Sequence, residues 1–163
     1  SPAEYSEARV AGRKVILATT NGTRAVKQYG GAREIVIACF LNAEAVLGML
    51  ATANDRDVLL LCAGQDGRFS IEDALCAGLL ASELAQLAAA SLSDSARAAA
   101  AIYGNRRGSI EDALVESEHG AYLAGIGFLD DVRYCACRSV LDVVPKVYDR
   151  RVIRKAREEW LIC

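Results

Sequence analysis

Apolar side chains along this chain fall into two kinds of run. Three short stretches rich in β-branched residues, Lys14 to Ala18, Glu34 to Phe40 and Asp57 to Cys62, are separated by segments in which apolar residues recur at helical spacing. Runs that stay apolar on both faces belong to parallel sheets covered by crossover helices, so the pattern predicts an α/β fold. Asn42 opens one helix, with Ala43, Val46, Leu47 and Leu50 on one face; Ser70 opens a longer one carrying Ile71, Leu75, Leu79, Leu84 and Leu87. Ser93-Asp94 starts an Ala-rich helix that runs to about Tyr103, and Ser109 starts another after the basic turn Asn105-Arg106-Arg107-Gly108. Downstream, Val132 to Ala136 and Val143 to Val147 read as closing strands, and Arg151 to Cys163 as an amphipathic helix containing Trp160 with a solvated basic face.

Composition narrows the class of protein. With 163 residues, 53% apolar, 25% charged and a net charge of −2, the chain has the profile of a single globular α/β domain spanning 1–163. It carries no basic field for nucleic acid and no apolar run near the roughly 20 residues needed to cross a bilayer, so a small-molecule partner fits best. The six cysteines, Cys39, Cys62, Cys76, Cys135, Cys137 and Cys163, sit mostly in apolar runs and read as buried thiols in a reducing, cytoplasmic compartment. Ser1-Pro2 shows neither a secretory pattern nor an initiator Met, which reads as the C-terminal part of a longer chain. Oligomeric state is left open, a homo-oligomer included.

In an open parallel sheet, ligands collect at the carboxyl ends of the strands. Behind the first run stands Thr19-Thr20-Asn21-Gly22-Thr23-Arg24, which offers hydroxyls, glycine-freed backbone N–H groups and a guanidinium, a set suited to phosphate. The plain alternative is an Asn-Gly turn with Thr23 as helix cap and Arg24 in solvent. Behind the second run, Asn42 puts an amide at the same edge, where it serves a ligand or caps its own helix. Behind the third lies Cys62-Ala63-Gly64-Gln65-Asp66-Gly67-Arg68-Phe69-Ser70-Ile71-Glu72-Asp73. Its loop carries two glycines, Gly64 and Gly67, which are candidate substrate contacts. Asp66, Glu72 and Asp73 are oxygen donors of the kind Mg²⁺ takes together with substrate phosphate oxygens.

Ser70-x-x-Asp73 also resembles a capping box, and acids in a first turn complement the helix dipole. The sequence supplies a control, because Ser109-Ile110-Glu111-Asp112-Ala113-Leu114 repeats Ser70 to Leu75 with no glycine-rich loop before it. The hexapeptide by itself is a helix start, and functional weight falls on the preceding loop. Cys62 and Arg68 match the C-x5-R spacing of cysteine phosphatases, a competing mechanism that Asp66 opposes by raising the thiol pKa and repelling phosphate. His119, the single histidine, is a candidate general acid for the leaving alkoxide. Asp130 and Asp131 precede a predicted strand and so fall at the edge away from the ligand, and Cys135 and Cys137 share one face of that strand.

These motifs resemble a known family, the 2-phosphosulfolactate phosphatases. The resemblance runs from Ser1 to about Pro145, through Ser1-Pro2-x-Glu4-Tyr5, Thr19 to Ala25, Asn42-Ala43, Cys62-Ala63-Gly64-x-x-Gly67-x-Phe69-Ser70-x-Glu72-Asp73, Cys76-Ala77-Gly78, and Asp131-Val132 ahead of Val144-Pro145. It implies a three-layer α/β/α fold and a Mg²⁺-dependent phosphatase for esters of small 2-hydroxycarboxylic acids. The name substrate would be 2-phosphosulfolactate, converted to sulfolactate and phosphate on the route to coenzyme M. Metal dependence favours carboxylates over Cys62: Asp66, Glu72 and Asp73 for the ion; Asp66, Arg24 and His119 in catalysis; Thr19 to Arg24, Asn42, Gly64 and Gly67 around the substrate. The resemblance further implies an upstream segment with an Asp-x-x-Arg motif, and an acid where this chain has Ser139. The rival without turnover is a domain that only binds a phosphorylated metabolite.

Overall fold

A computed structural model describes residues 1–16, 19–28, 32–53, 56–148 and 151–154. Its helices are α1 (Glu7–Val10), α2 (Gly22–Gln28), α3 (Ala43–Ala51), α4 (Ile71–Leu87), α5 (Asp94–Arg106), α6 (Ile110–Val115), α7 (Glu118–Gly125) and α8 (Leu129–Ala136), with strands β1 (Pro145–Tyr148) and β2 (Arg151–Arg154). The described residues are thus mostly helical, and α4 is their centre.

The start of α4 is fixed by Ser70, whose extended backbone lets its Oγ accept the Asp73 N–H at 3.2 Å. From there Ala74, Leu75, Gly78, Leu79, Leu80, Ala81 and Leu84 are buried, more than one face of a helix, so neighbours must cover several sides. α3 covers one with Ala43, Val46 and Leu47, and α5 lies along another. The contact with α5 is close because residue 78 has no side chain: a Cβ there would overlap the Ala99 carbonyl and stand 2.8 Å from Tyr103 Cβ. Leu114 of α6 and Val132 of α8 close the same cluster around Leu75 and Leu79.

Helices expected from Asn42, Ser70, Ser93 and Ser109 all form. The strand expected over Val132 to Ala136 does not, since these residues belong to α8. A short apolar run cannot be told from a buried helix segment by period alone. Here Asp130 and Asp131 in the first turn favour the helix, and Val132 and Ala136, four apart, both join the core.

The expected helix Arg151 to Cys163 is corrected at its start: Arg151–Arg154 is a strand, paired antiparallel with β1 in the register Pro145↔Arg154 to Tyr148↔Arg151. Residues 155–163, with Trp160 and Cys163, lie outside the described residues. The strand expected over Val143 to Val147 forms from Pro145 onward.

The three leading apolar runs form no ladder with one another among the described residues. Glu34 to Phe40 makes one antiparallel bridge, Val36 to Lys146, with Ile37 N–H donating to the Pro145 carbonyl at 2.9 Å. Residues 14–16 and 56–64 carry no strand assignment, and 17–18 lie outside the described residues. Ile16 is 93% and Leu59 68% exposed, so these stretches have strand composition without a partner covering them. No described helix is long and apolar enough to cross a membrane.

Candidate functional site

The first turns of α4 and α7, the middle of α8 and the chain at 38–40 surround a cavity of about 520 Å³. Its wall is largely apolar, with Phe40, Leu114, Leu123, Phe128 and Val132, but three carboxylates and an imidazole face it: Glu72, Asp73, Asp131 and His119. An apolar pocket with few convergent polar groups is the usual form of a small-molecule site.

Glu72 is held by both carboxylate oxygens. Oε2 accepts the Ser70 hydroxyl and Oε1 the Ser117 hydroxyl, each at 2.7 Å. Burial pushes its pKa up, but hydrogen bonds from Ser117, its own backbone N–H and Ser70, with the charge of His119, outweigh this and leave it below the ordinary glutamate range. Glu72 is therefore ionised at neutral pH. The stability it contributes is present above the ordinary glutamate pKa and is lost as pH falls through the lowered value.

Asp73 Oδ2 accepts the Gly64 N–H at 2.7 Å, which ties the preceding loop to the cavity. Asp131 Oδ1 accepts the Ser1 hydroxyl at 2.8 Å. Among the described residues none of these three carboxylates is paired with an arginine or lysine.

The loop itself has a backbone explanation. Gln65 and Arg68 exchange hydrogen bonds around Asp66-Gly67, with φ 52° and 77°, a two-residue Asp-Gly hairpin turn. Gly64 has φ 72°, and a Cβ there would stand 2.5 Å from the Arg68 carbonyl oxygen. Asp66 is exposed and does not line the cavity; its N–H donates to Asn21 Oδ1 at 3.3 Å. A chain of hydrogen bonds thus links the Thr19 to Arg24 segment, through the 64–67 turn and Asp73, to the cavity. Within that segment Thr19 and Thr23 cap each other: Thr19 Oγ1 accepts the Thr23 N–H at 2.9 Å and the Thr23 hydroxyl donates to the Thr19 carbonyl at 2.7 Å. Thr20, Gly22 and Arg24 are exposed.

Asn42 is neither helix cap nor cavity group. It is 3% exposed, with Oδ1 accepting the Cys39 N–H at 2.8 Å and Nδ2 donating to the carbonyls of Ile37 and Val143 at 3.1 and 3.0 Å. The amide ties the 37–39 stretch to Val143 through three backbone groups. The cap on α3 comes instead from Ser139, whose Oγ accepts the Glu44 N–H at 3.1 Å.

The cysteines are free thiols among the described residues, and Cys39, Cys62, Cys135 and Cys137 are exposed rather than buried. Burial, then the charge of Asp73, pushes the Cys62 thiol up, and burial with the nearby Cys39, Asp73 and Cys62 charges takes Cys76 up to about 12. Arg68 pairs with Glu118 at 3.9 Å, both exposed. A protonated Cys62 and an arginine paired elsewhere do not make a cysteine-phosphatase loop.

Sequence reasoning missed two residues here. A strand over Val132 to Ala136 would put Asp131 at the edge away from the ligand, whereas the helix α8 brings it into the cavity lining. Ser117 carried a weaker signal: it opens a helix 45 residues beyond Glu72, and nothing local announces the contact.

The cavity thus brings three carboxylates and an imidazole to a largely apolar wall. Residues 1–150 match the family described as 2-phosphosulpholactate phosphatase, and the chain belongs to that family. It is 38% identical over 154 residues to a probable 2-phosphosulfolactate phosphatase of Symbiobacterium thermophilum, covering 94% of this chain and 66% of that protein. A protein of the same description from Caldanaerobacter subterraneus is 33% identical over 147 residues, 90% of this chain and 61% of its own length. The chain therefore spans roughly three fifths to two thirds of these relatives.

Proposed function

We propose that this chain forms the carboxylate side of a Mg²⁺-dependent phosphatase site for phosphate esters of small 2-hydroxycarboxylic acids, 2-phosphosulfolactate foremost. The observation that carries the reading is Glu72, ionised, held at both oxygens and facing a cavity with Asp73 and Asp131, with no arginine or lysine partner among the described residues. Among the described residues no three His, Cys, Asp or Glu side chains converge closely enough to enclose a metal ion. Mg²⁺ asks for less, usually one or two carboxylates, its remaining places going to water and phosphate oxygens, and Glu72 with either Asp73 or Asp131, which line the same cavity, would meet that demand. When bound, the ion offsets phosphate charge, which is most of what phosphoryl transfer requires.

The chain's own residues do the rest. Arg24 and the Thr20 hydroxyl, on the segment linked to Asp73, meet the phosphate oxygens that remain. His119, stacked on Tyr122 at the cavity rim, donates a proton to the leaving alkoxide. Asp66 sets the turn that carries Gly64 to Asp73. In a protein of the relatives' length, the exposed apolar runs around Ile16 and Leu59 would be strands in the central sheet of a three-layer α/β/α fold, which would bury them. The setting we propose is cytoplasmic, in coenzyme M synthesis.

Phosphate release from phospholactate-type esters tests the reading, since binding without release would make the domain a metabolite-binding module instead. Cys62→Ser should leave release near wild type, whereas loss of a thiolate nucleophile would cost on the order of a thousandfold or more. Alkylation would not decide this, because Cys39 and Cys135 line the cavity and a bulky adduct on either would block it.

A further inference from the structure

We infer that Ser117 is a positioning residue for Glu72, aiming its carboxylate into the cavity; the inference rests on the cation reading above. Ser117 is the cap of α7 and only 6% exposed. Its Oγ accepts the Gly120 N–H at 2.9 Å and lies 2.7 Å from both Glu72 Oε1 and the Leu114 carbonyl oxygen. A hydroxyl has one proton to donate, and an ionised carboxylate is the stronger acceptor. The Leu114 carbonyl already receives the Ser117 N–H at 3.3 Å, so it can do without the hydroxyl.

The position is built rather than incidental. Gly120 lets the first turn of α7 close on the end of α6, since a Cβ there would overlap the Leu114 carbonyl and stand 2.9 Å from Ser117 Oγ. The repeated hexapeptide shows what happens without such a partner. Glu111, the counterpart of Glu72, lies in solvent against Arg133 at 3.2 Å, and Ser109 makes no side-chain cap bond. Identical local sequence gives a cavity carboxylate only where Ser117 reaches it from another helix. Residues that hold a metal ligand in place typically change metal affinity by about 10- to 100-fold when removed.

Mn²⁺ binding followed by electron paramagnetic resonance tests this on the purified chain, with Ser117→Ala, Ser117→Thr and Glu72→Gln beside wild type. Ser117→Ala should weaken Mn²⁺ by about 10-fold or more with cooperative unfolding retained, and Ser117→Thr, which keeps the hydroxyl, should restore much of it. Should Ser117→Ala fail to fold, Ser117→Cys, a weak donor of similar volume, should show the same loss. If Glu72→Gln loses the ion while Ser117→Ala keeps wild-type affinity, the role of Ser117 is overturned alone. If Glu72→Gln binds as wild type does, or wild type binds no Mn²⁺, the cation reading fails and this inference with it.

Discussion

Replacing Glu72 with Gln should lower hydrolysis of a 2-hydroxy acid phosphate ester by about 100-fold or more at saturating Mg²⁺, measured as phosphate released. The amide keeps the size of the side chain and can still meet the hydroxyls of Ser70 and Ser117, so the loss reports charge rather than shape. Among the described residues Glu72 has no arginine or lysine partner to be orphaned by the change, and the variant should melt as a folded protein. Glu111→Gln is the matched control, made in the same hexapeptide at a carboxylate paired with Arg133 in solvent. Exposed pairs contribute about 0–1 kcal/mol, so that variant should be close to wild type in both stability and turnover. Equal loss in the two variants would show that the hexapeptide, and not the cavity, governs activity.

The second large effect is on stability. Gly78→Ala should destabilise the fold by about 1–3 kcal/mol or more, read as a lower urea midpoint, because α5 must retreat from the Ala99 carbonyl to admit a methyl group. The retreat also pulls Tyr103 from the cluster around Leu75 and Leu79. Folded proteins keep only about 5–15 kcal/mol in total, so this is a sizeable fraction. Gly48→Ala in α3 supplies the opposite sign from the same chemistry. Nothing lies within 4 Å of a Cβ there, and alanine in a helix interior is favoured over glycine by about 0.5–1 kcal/mol. A stabilised Gly78→Ala variant would contradict the packing described for α4 and α5.

These two experiments touch the parts of the molecule that were most and least legible beforehand. The helices from Ser70 and Ser93 could be read because cap and apolar stripe are local signals, and both serines do accept their N–H bonds. The repeat at 109–114 was rightly read as a helix start. Strand composition at 14–18 and 57–62 was legible, but pairing is a property of two segments, and a run rich in Val, Ile and Leu does not say whether its partner is there. Val132 to Ala136 failed for a different reason, since a five-residue run with four apolar-leaning side chains around Arg133 fits either period.

At the site, Glu72 and Asp73 of the first turn of α4 line the cavity, while Asp66 of the turn beside them does not. Asp66-Gly67 is a common hairpin dipeptide, and that alone accounts for both residues. Asp131 comes to the cavity from α8 and Ser117 reaches Glu72 from the start of α7, 58 and 44 positions beyond Asp73. Such contacts arise from how α6, α7 and α8 pack, which no local pattern encodes.

The central claim is that a cation held by carboxylates drives phosphate release. The most direct measurement is phosphate release from a phospholactate-type ester by the intact protein, before EDTA, after EDTA, and after excess Mg²⁺ is returned. The account expects release to stop with the chelator and recover with Mg²⁺. Release that continues undiminished in EDTA would contradict it.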